Sequence, residues 1–154
     1  MNHVLKRKKS FTLIELLVVI GIIGILAAIL LPVIAATKYN SQKVAEKEKA
    51  DKIAVAVERY LSEYGKLPKN DDGQDSNDVV VDATLLNILK GNNTRKINFF
   101  PSKSSIKNVW EGNFYISMDG DYDNQISAEG ESVTGSVVVY TKYNSDRMSS
   151  WETP

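Results

Sequence analysis

Late in the chain, four neighbouring side chains offer oxygen atoms at a spacing suited to a hard cation. Asp119, Asp121 and Asp123 alternate in the run Asp-Gly-Asp-Tyr-Asp-Asn-Gln-Ile, and Asn124 follows them. Oxygen ligands at alternate positions converge when a loop curls, and calcium prefers such ligands. The run therefore predicts a structural calcium site formed by these four residues.

The same run matches only the first half of an EF-hand loop. Asn124 stands where that loop has its glycine, and asparagine tolerates left-handed backbone geometry. The twelfth position is Gly130, flanked by Glu129 and Glu131, so the bidentate glutamate is out of register. Strands rather than helices are expected on both sides. The alternative is a solvated acidic turn, and a calcium-dependent melting temperature would distinguish the two.

Glu15 is the one charge in an apolar run of about 21 residues from Phe11 to Leu31. A helix of this length rises about 30 Å, the thickness of the hydrocarbon core of a bilayer. A carboxylate near the centre of such a segment costs roughly 2.5–3.5 kcal/mol. This cost indicates a partner or a function for Glu15, unless its side chain snorkels to the cytoplasmic headgroups.

The cations Lys-Arg-Lys-Lys at residues 6–9 end just before this run. They predict a single-pass protein with a cytoplasmic N-terminus and with the residues after Pro32 outside. A secretory signal peptide cut near Ala36 is the alternative, but its apolar core would span 7–15 residues and lack a charge. The first residue of the mature protein distinguishes these alternatives. It is Phe11 in the membrane protein and Ala36 or Thr37 in the secreted one.

The sequence Lys-Lys-Ser-Phe-Thr-Leu-Ile-Glu-Leu-Leu-Val-Val-Ile at residues 8–20 resembles the class III signal of type IV prepilins and type II secretion pseudopilins. The resemblance implies that prepilin peptidase cuts between Ser10 and Phe11 and that Phe11 becomes the N-methylated first residue. Glu15 becomes the acidic fifth residue. The family usually has Gly where this chain has Ser10, and we expect cleavage here because Ser is also small.

Cleavage would leave a cationic amine on Phe11, on the same helical face as Glu15. In a filament, the Glu15 carboxylate of one subunit can meet the amine of its neighbour, and buried ion pairs are best attested as devices that set register. We therefore expect Phe11 and Glu15 to act in assembly. The partners implied are copies of this chain, other pseudopilins, prepilin peptidase and an inner-membrane assembly platform.

Two later segments extend the resemblance to major pseudopilins. Residues 110–115, Trp-Glu-Gly-Asn-Phe-Tyr, resemble the Trp-Gly-Asn-Pro-Tyr turn of that group without its prolines. Major pseudopilins bind calcium in a C-terminal loop, and related sequences carry an Asp-Tyr-Asp-Gly turn like residues 121–124. The resemblance thus implies a structural Ca²⁺ ion.

Composition excludes several kinds of chemistry. The chain of 154 residues has a formal charge of zero, and 15 basic against 19 acidic side chains remain after residue 10, a net of about −4. This balance argues against nucleic acid as a partner.

There is no cysteine, and the single histidine, His3, lies in the leader. Zinc, thiol and Ser-His-Asp catalysis are thereby excluded for the mature protein. Asp121 and Asp123 could serve a hydrolase, but an ion accounts for them better, so we do not expect an enzyme.

The long helix that carries Glu15 has predicted weak points and a predicted end. Gly21, Gly24 and Pro32 weaken it, and an interior proline removes a backbone hydrogen bond, so a kink is expected near residues 28–32. Apolar residues then recur at three- and four-residue spacing, which predicts an amphipathic continuation. They are Val44, Ala50, Ile53, Val57, Tyr60, Leu61 and Tyr64. Gly65 is typical of a helix end.

The elements that position the acidic run are shorter. Residues 70–78 are polar and rich in turn formers, which predicts a surface loop. Residues 83–90 are predicted to form a helix capped by Asp82. Residues 114–118 and 136–143 are predicted strands on either side of the acidic run.

The fold class predicted is α+β: a long N-terminal helix, transmembrane in its lower half, packed on a small antiparallel sheet in a pilin-like layout. The predicted domains are a leader (1–10), a transmembrane helix and assembly stem (11–32), an amphipathic continuation (33–65) and a periplasmic globular head (66–154). The predicted function is a structural subunit of a type II secretion pseudopilus in the bacterial inner membrane. A type IV pilus pilin, major or minor, and an exported calcium-binding protein without a polymer role are the alternatives.

Overall fold

The structure is a computed structural model that describes residues 11–69, 73–101 and 107–151. The described residues form α1 (Leu13–Tyr64), β1 (Ser76–Val80), α2 (Ala83–Leu89), β2 (Phe114–Met118), β3 (Gln125–Ala128), β4 (Glu131–Thr134), β5 (Val137–Tyr143) and β6 (Asp146–Ser149). The chain divides into two compact units, Met1–Asn40 and Ser41–Pro154. The α+β class with a long N-terminal helix is confirmed.

In the first unit, α1 is apolar on all sides. Residues 11–38 are exposed, and the large aliphatic side chains from Leu13 to Ile34 keep between 44% and 82% of their surface accessible. A helix that is apolar all round is typical of a membrane span or of the centre of a large protein. By length and composition α1 could cross a membrane, although a signal sequence or a soluble core helix would pass the same test.

The predicted kink residues lie in an uninterrupted stretch of α1. A Cβ atom added at Gly21 or Gly24 would meet no atom within 4 Å, so no contact within the described chain requires glycine there. Pro32 lacks the amide hydrogen that would bond one turn back, which weakens the helix locally. A weakened turn is compatible with a continuous helix, and the kink stays a prediction.

In the second unit, α1 buries one face. Its buried residues are Glu46, Ala50, Ile53, Ala54, Ala56, Val57 and Tyr60. The predicted stripe is confirmed from Ala50 onwards, whereas Val44 is 69% exposed and its assignment to the buried face was wrong. Glu46 Oε1 accepts hydrogen bonds from Val109 N (3.2 Å) and Lys49 Nζ (2.8 Å), whereas its buried Oε2 accepts none from any described residue. The helix ends as predicted at Gly65, which has φ +67°.

The main sheet is antiparallel, with strand order β1-β2-β5-β6, and β3 and β4 form a separate hairpin. Alternate residues of β5 belong to two cores. Val137 and Val139 pack with α1 and α2, whereas Val138 and Tyr140 pack with Ile126 and Ala128 of the β3–β4 hairpin. Because side chains alternate between the faces of a strand, the hairpin covers the face opposite the helices. This explains the unbroken apolar run of β5, which is buried on both sides.

The shorter elements follow the predictions in part. The helix at 83–90 is observed as Ala83–Leu89, with Leu85 N donating to the predicted cap Asp82 at 2.8 Å. The strand at 114–118 is confirmed, and the one at 136–143 begins one residue later. The surface loop predicted at 70–78 was wrong in its last part, because β1 begins at Ser76. Residues 70–72 lie outside the described part of the chain.

Candidate functional site

Glu15 caps the first turn of its own helix. Thr12 N and Thr12 Oγ1 donate to Glu15 Oε2 at 2.9 and 2.8 Å, and Glu15 N donates back to Thr12 Oγ1 at 3.3 Å. Since α1 begins directly after Thr12, this is a reciprocal capping box. Sequence reasoning missed this partner of the carboxylate, although the pattern Thr-x-x-Glu before an apolar run was its signal.

The other residues of the predicted processing site lie next to this cap. Phe11 directly precedes Thr12 and is 76% exposed. Ser10 lies outside the described residues. Cleavage, N-methylation of Phe11 and the role of Glu15 in assembly remain predictions at this point.

A group of three carboxylates, the acidic cluster, forms at one end of the main sheet. Asp75, Asp119 and Asp121 each place a carboxylate oxygen within 4.8 Å of the others. Asp119 is 3% exposed, and its Oδ2 accepts a hydrogen bond from Asn124 N at 2.8 Å. Its Oδ1 is buried and has no hydrogen-bond partner among the residues that the structure describes.

The structure thus brings two of the predicted calcium ligands, Asp119 and Asp121, into the acidic cluster, whereas Asp123 lies outside it and shapes the loop. The backbone amide of Asn124 donates to Asp119 Oδ2. Asp123 Oδ1 accepts from Gln125 N at 2.7 Å, and its own amide donates to Asp121 Oδ1 at 3.2 Å. Asn124 has φ +65°, the left-handed geometry expected of it.

Asp75 is the member that sequence reasoning missed. It lies 44 residues before Asp119, so no periodicity or motif links the two. Strand pairing links the two residues. Because β1 and β2 are antiparallel and Ser76 pairs with Met118, Asp75 lies opposite Asp119. Asp75 Oδ1 also accepts a hydrogen bond from Gly120 N at 3.0 Å.

Two polar residues of β1, Asn77 and Asp78, bind the β3–β4 hairpin through hydrogen bonds. We call these two residues the polar staple. Asn77 Oδ1 accepts from Ser127 N at 3.3 Å, and the Asp78 carboxylate accepts from Glu129 N at 2.9 and 3.2 Å. Tyr140 Oη also donates to Asp78 at 3.0 Å. Burial, followed by this hydrogen bond, raises the pKa of the Tyr140 phenol above its ordinary value.

Ion pairs connect the turn of the same hairpin to the last strands. Glu129 pairs with Lys142 and with Arg147 Nη1, the latter at 3.4 Å. Arg147 Nη2 lies 3.1 Å from Glu131, and its guanidinium stacks 4.8 Å from the centre of the Trp151 ring. Each exposed pair is worth little alone, but together they link the hairpin to β5 and β6.

Comparison with known proteins bears mainly on the first part of the chain. Residues 5–31 match the family described as the prokaryotic N-terminal methylation motif. A type IV major pilin protein from Neisseria gonorrhoeae is 41% identical over 63 residues, which are 41% of this chain and 38% of that protein. No solved structure matches the chain significantly.

Residues 5–31 are therefore similar to the N-terminal segments of N-methylated, type IV prepilin-like sequences. The motif and the relative both indicate similarity to type IV pilin-like sequences in this part of the chain. The chain spans about 38% of the length of the curated relative it matches.

Proposed function

We propose that this chain is a subunit of a type II secretion pseudopilus, processed between Ser10 and Phe11 and methylated at Phe11. It spans the inner membrane once, with its N-terminus in the cytoplasm and its C-terminal unit in the periplasm, and polymerises from the membrane. The observation that carries the proposal is an apolar helix, exposed on all sides, that starts with a capped glutamate inside the methylation motif.

An exposed apolar surface of this extent needs a cover. The bilayer covers it before assembly, and the same segments of other subunits cover it in a filament. Glu15 distinguishes the two states because a carboxylate in lipid has no counter-ion, whereas a neighbouring Phe11 amine supplies one. A helix that served only as a tether would gain the capping hydrogen bonds with Thr12 but no counter-ion for this charge.

The first test is the mature N-terminus, read by mass spectrometry of the membrane-extracted protein. We expect N-methylated Phe11, and a start at Ala36 or Thr37 would overturn the proposal.

The second test compares Glu15→Ala with Glu48→Ala, since Glu48 is an exposed carboxylate of α1 in the second unit. Glu15→Ala should enter the membrane and fail to assemble, whereas Glu48→Ala should assemble. Normal filaments from Glu15→Ala would contradict the assigned role.

A type IV pilus pilin is the second candidate, favoured by the relative, which is named as a type IV major pilin. Deleting the gene for this chain distinguishes a pseudopilus subunit from a pilus subunit. Loss of an extracellular enzyme with surface filaments intact supports the pseudopilus, and loss of surface filaments with secretion intact supports the pilus. If neither changes and the protein stays monomeric on crosslinking in membranes, an exported calcium-binding protein is the better description.

We also propose that the acidic loop at residues 119–124 binds one structural Ca²⁺ ion. The donor set fits, because carboxylate oxygens are hard ligands and Asp119 presents a buried oxygen that needs a partner. The ion would supply positive charge and hold the connection between β2 and β3. We expect the melting temperature of the full-length protein in detergent to rise between chelator and millimolar calcium, and an unchanged value would refute this site.

A further inference from the structure

The acidic cluster joins two parts of the chain that are far apart in sequence. Asp119 and Asp121 belong to the connection between β2 and β3, whereas Asp75 precedes β1. Two contacts hold Asp75 at this place: the pairing of Ser76 with Met118 and the hydrogen bond from Gly120 N to Asp75 Oδ1. The position of Asp75 is thus set by the β1–β2 pairing and by its hydrogen bond with Gly120 of the acidic loop.

Three carboxylates this close together are unfavourable when all are ionised, because like charges in one site repel each other. Burial increases the cost for Asp119, whose Oδ1 accepts no hydrogen bond from any described residue. A divalent cation removes both problems at once. It neutralises charge and accepts the free oxygen as a ligand.

We propose that the calcium ion is held jointly by Asp75, Asp119 and Asp121, so that it clamps the segment before β1 to the β2–β3 connection. This inference rests on the proposed calcium site and changes its ligand set. Asp75 takes the place of Asp123, whose carboxylate is not part of the acidic cluster.

The clamp has a consequence for the β3–β4 hairpin. Asp75 is followed within three residues by the polar staple, Asn77 and Asp78, which accepts hydrogen bonds from Ser127 N and Glu129 N. An ion that fixes Asp75 therefore also restrains the strand that holds the hairpin. Calcium should slow amide hydrogen exchange at Ser127 and Glu129, although neither residue is a ligand.

Asp75→Asn and Asp123→Asn form a matched pair for the test. Each removes one negative charge from the same region, and each keeps a side-chain oxygen that can accept the backbone hydrogen bond made by the wild-type residue. The full-length proteins are purified in detergent. Their melting temperatures are measured in chelator and in calcium, and calcium affinity is measured by isothermal titration calorimetry.

We expect calcium at a hundredfold excess over its dissociation constant to raise the wild-type melting temperature by on the order of 5–10 °C. Asp75→Asn should lose most of this shift and bind calcium at least about tenfold more weakly, on the scale seen when a metal site loses a supporting group. In chelator, Asp75→Asn should melt no lower than wild type, because one repulsive charge is gone. Asp123→Asn should keep the shift and the affinity.

The possible results separate the proposals. An Asp75→Asn variant that binds as tightly as wild type, with Asp123→Asn impaired, overturns the clamp and leaves a loop-only site. A wild-type protein that does not respond to calcium overturns both the clamp and the loop site. The filament proposal is judged by the mature N-terminus and by Glu15→Ala, so it does not depend on either outcome.

Discussion

Both hydrogen bonds that Glu15 accepts from Thr12 end on the same oxygen, Oε2. The cap satisfies the Thr12 amide at the start of α1, a donor that would otherwise face lipid, and it lowers the cost of keeping the charge. In a filament, a neighbouring Phe11 amine would therefore meet a carboxylate that the cap already orients. Thr12 is thus a positioning residue for the proposed assembly pair.

Thr12→Ala tests the cap. The variant loses both contacts of the hydroxyl, and losing an N-cap side chain costs about 1 kcal/mol. Amide exchange in the first turn, measured by NMR on the full-length protein in micelles, should become roughly fivefold faster. Thr12→Ser keeps the hydroxyl and should behave as wild type. Equal exchange rates in Thr12→Ala and wild type would show that the capping box does not hold the helix start.

Asp82 offers a titratable cap outside the apolar segment. The hydrogen bond from Leu85 N, followed by the Lys69 ammonium at 2.6 Å, lowers the pKa of its carboxyl from the ordinary value of 3.8. A lowered folded-state pKa stabilises the protein above the unfolded value, and this contribution is lost as the pH falls through the folded-state pKa.

Asp82→Ala should therefore lower the melting temperature at pH 7 by roughly 2–5 °C, as expected for a lost cap. The difference from wild type should shrink as the pH falls below the ordinary value of 3.8 and through the lowered pKa of folded Asp82. Asp82→Asn can still cap and should lie between the two at neutral pH. A difference that stays constant down to pH 3 would contradict the assigned protonation.

At the level of elements, the polar staple explains why the sequence predicted a loop where β1 begins. Its sequence Ser-Asn-Asp-Val-Val looks like a loop, because its first three side chains are polar. Two of them accept hydrogen bonds from hairpin amides, and Asp78 sits at φ +53° where the register with β2 shifts. A strand that uses side chains to hold a second layer loses the alternation by which strands are recognised.

Asp78→Ala should destabilise the second unit by about 2–4 kcal/mol. It leaves Glu129 N and Tyr140 Oη without their acceptor and places alanine at a positive φ. Asp78→Asn tolerates that backbone and keeps one acceptor, so its loss should be smaller. Urea unfolding followed by Trp fluorescence measures both. A loss below about 1 kcal/mol for Asp78→Ala would mean that the hairpin is held by its apolar contacts alone.

Sequence reasoning succeeded where one periodicity dominates a segment and failed where contacts are distant. The three- and four-residue spacing from Ala50 to Tyr60 predicted the buried face of α1, and Gly65 marked its end. The β3–β4 hairpin was missed, although its two-residue turn, Glu129-Gly130, has both residues at positive φ. The usual signal for such a turn is Asn-Gly or Asp-Gly. The place of Asp75 in the acidic cluster depends on β1–β2 pairing and had no local signal.

At the level of the whole molecule, the two units have different sources of stability. Every residue of the two apolar cores lies between Ala50 and Trp151, hence in the second unit. The first unit has no buried residue among those the structure describes, and under the proposed function lipid or other subunits cover it. Folding of the second unit and assembly through the first should therefore be separable.

A chain that begins at Ser41 tests this separation. It keeps the Lys43–Asp146 ion pair and the hydrogen bond from Val109 N to Glu46, so its melting temperature should stay within the 2–4 °C that corresponds to about 1 kcal/mol. It should remain in solution without detergent, stay monomeric on size-exclusion chromatography and fail to enter filaments. Ile53→Ala in the same fragment is the control, since truncating this side chain, 1% exposed, should cost about 2–5 kcal/mol. A fragment that assembles without residues 1–40 would place the polymer contacts in the second unit and overturn the proposed role of the apolar helix.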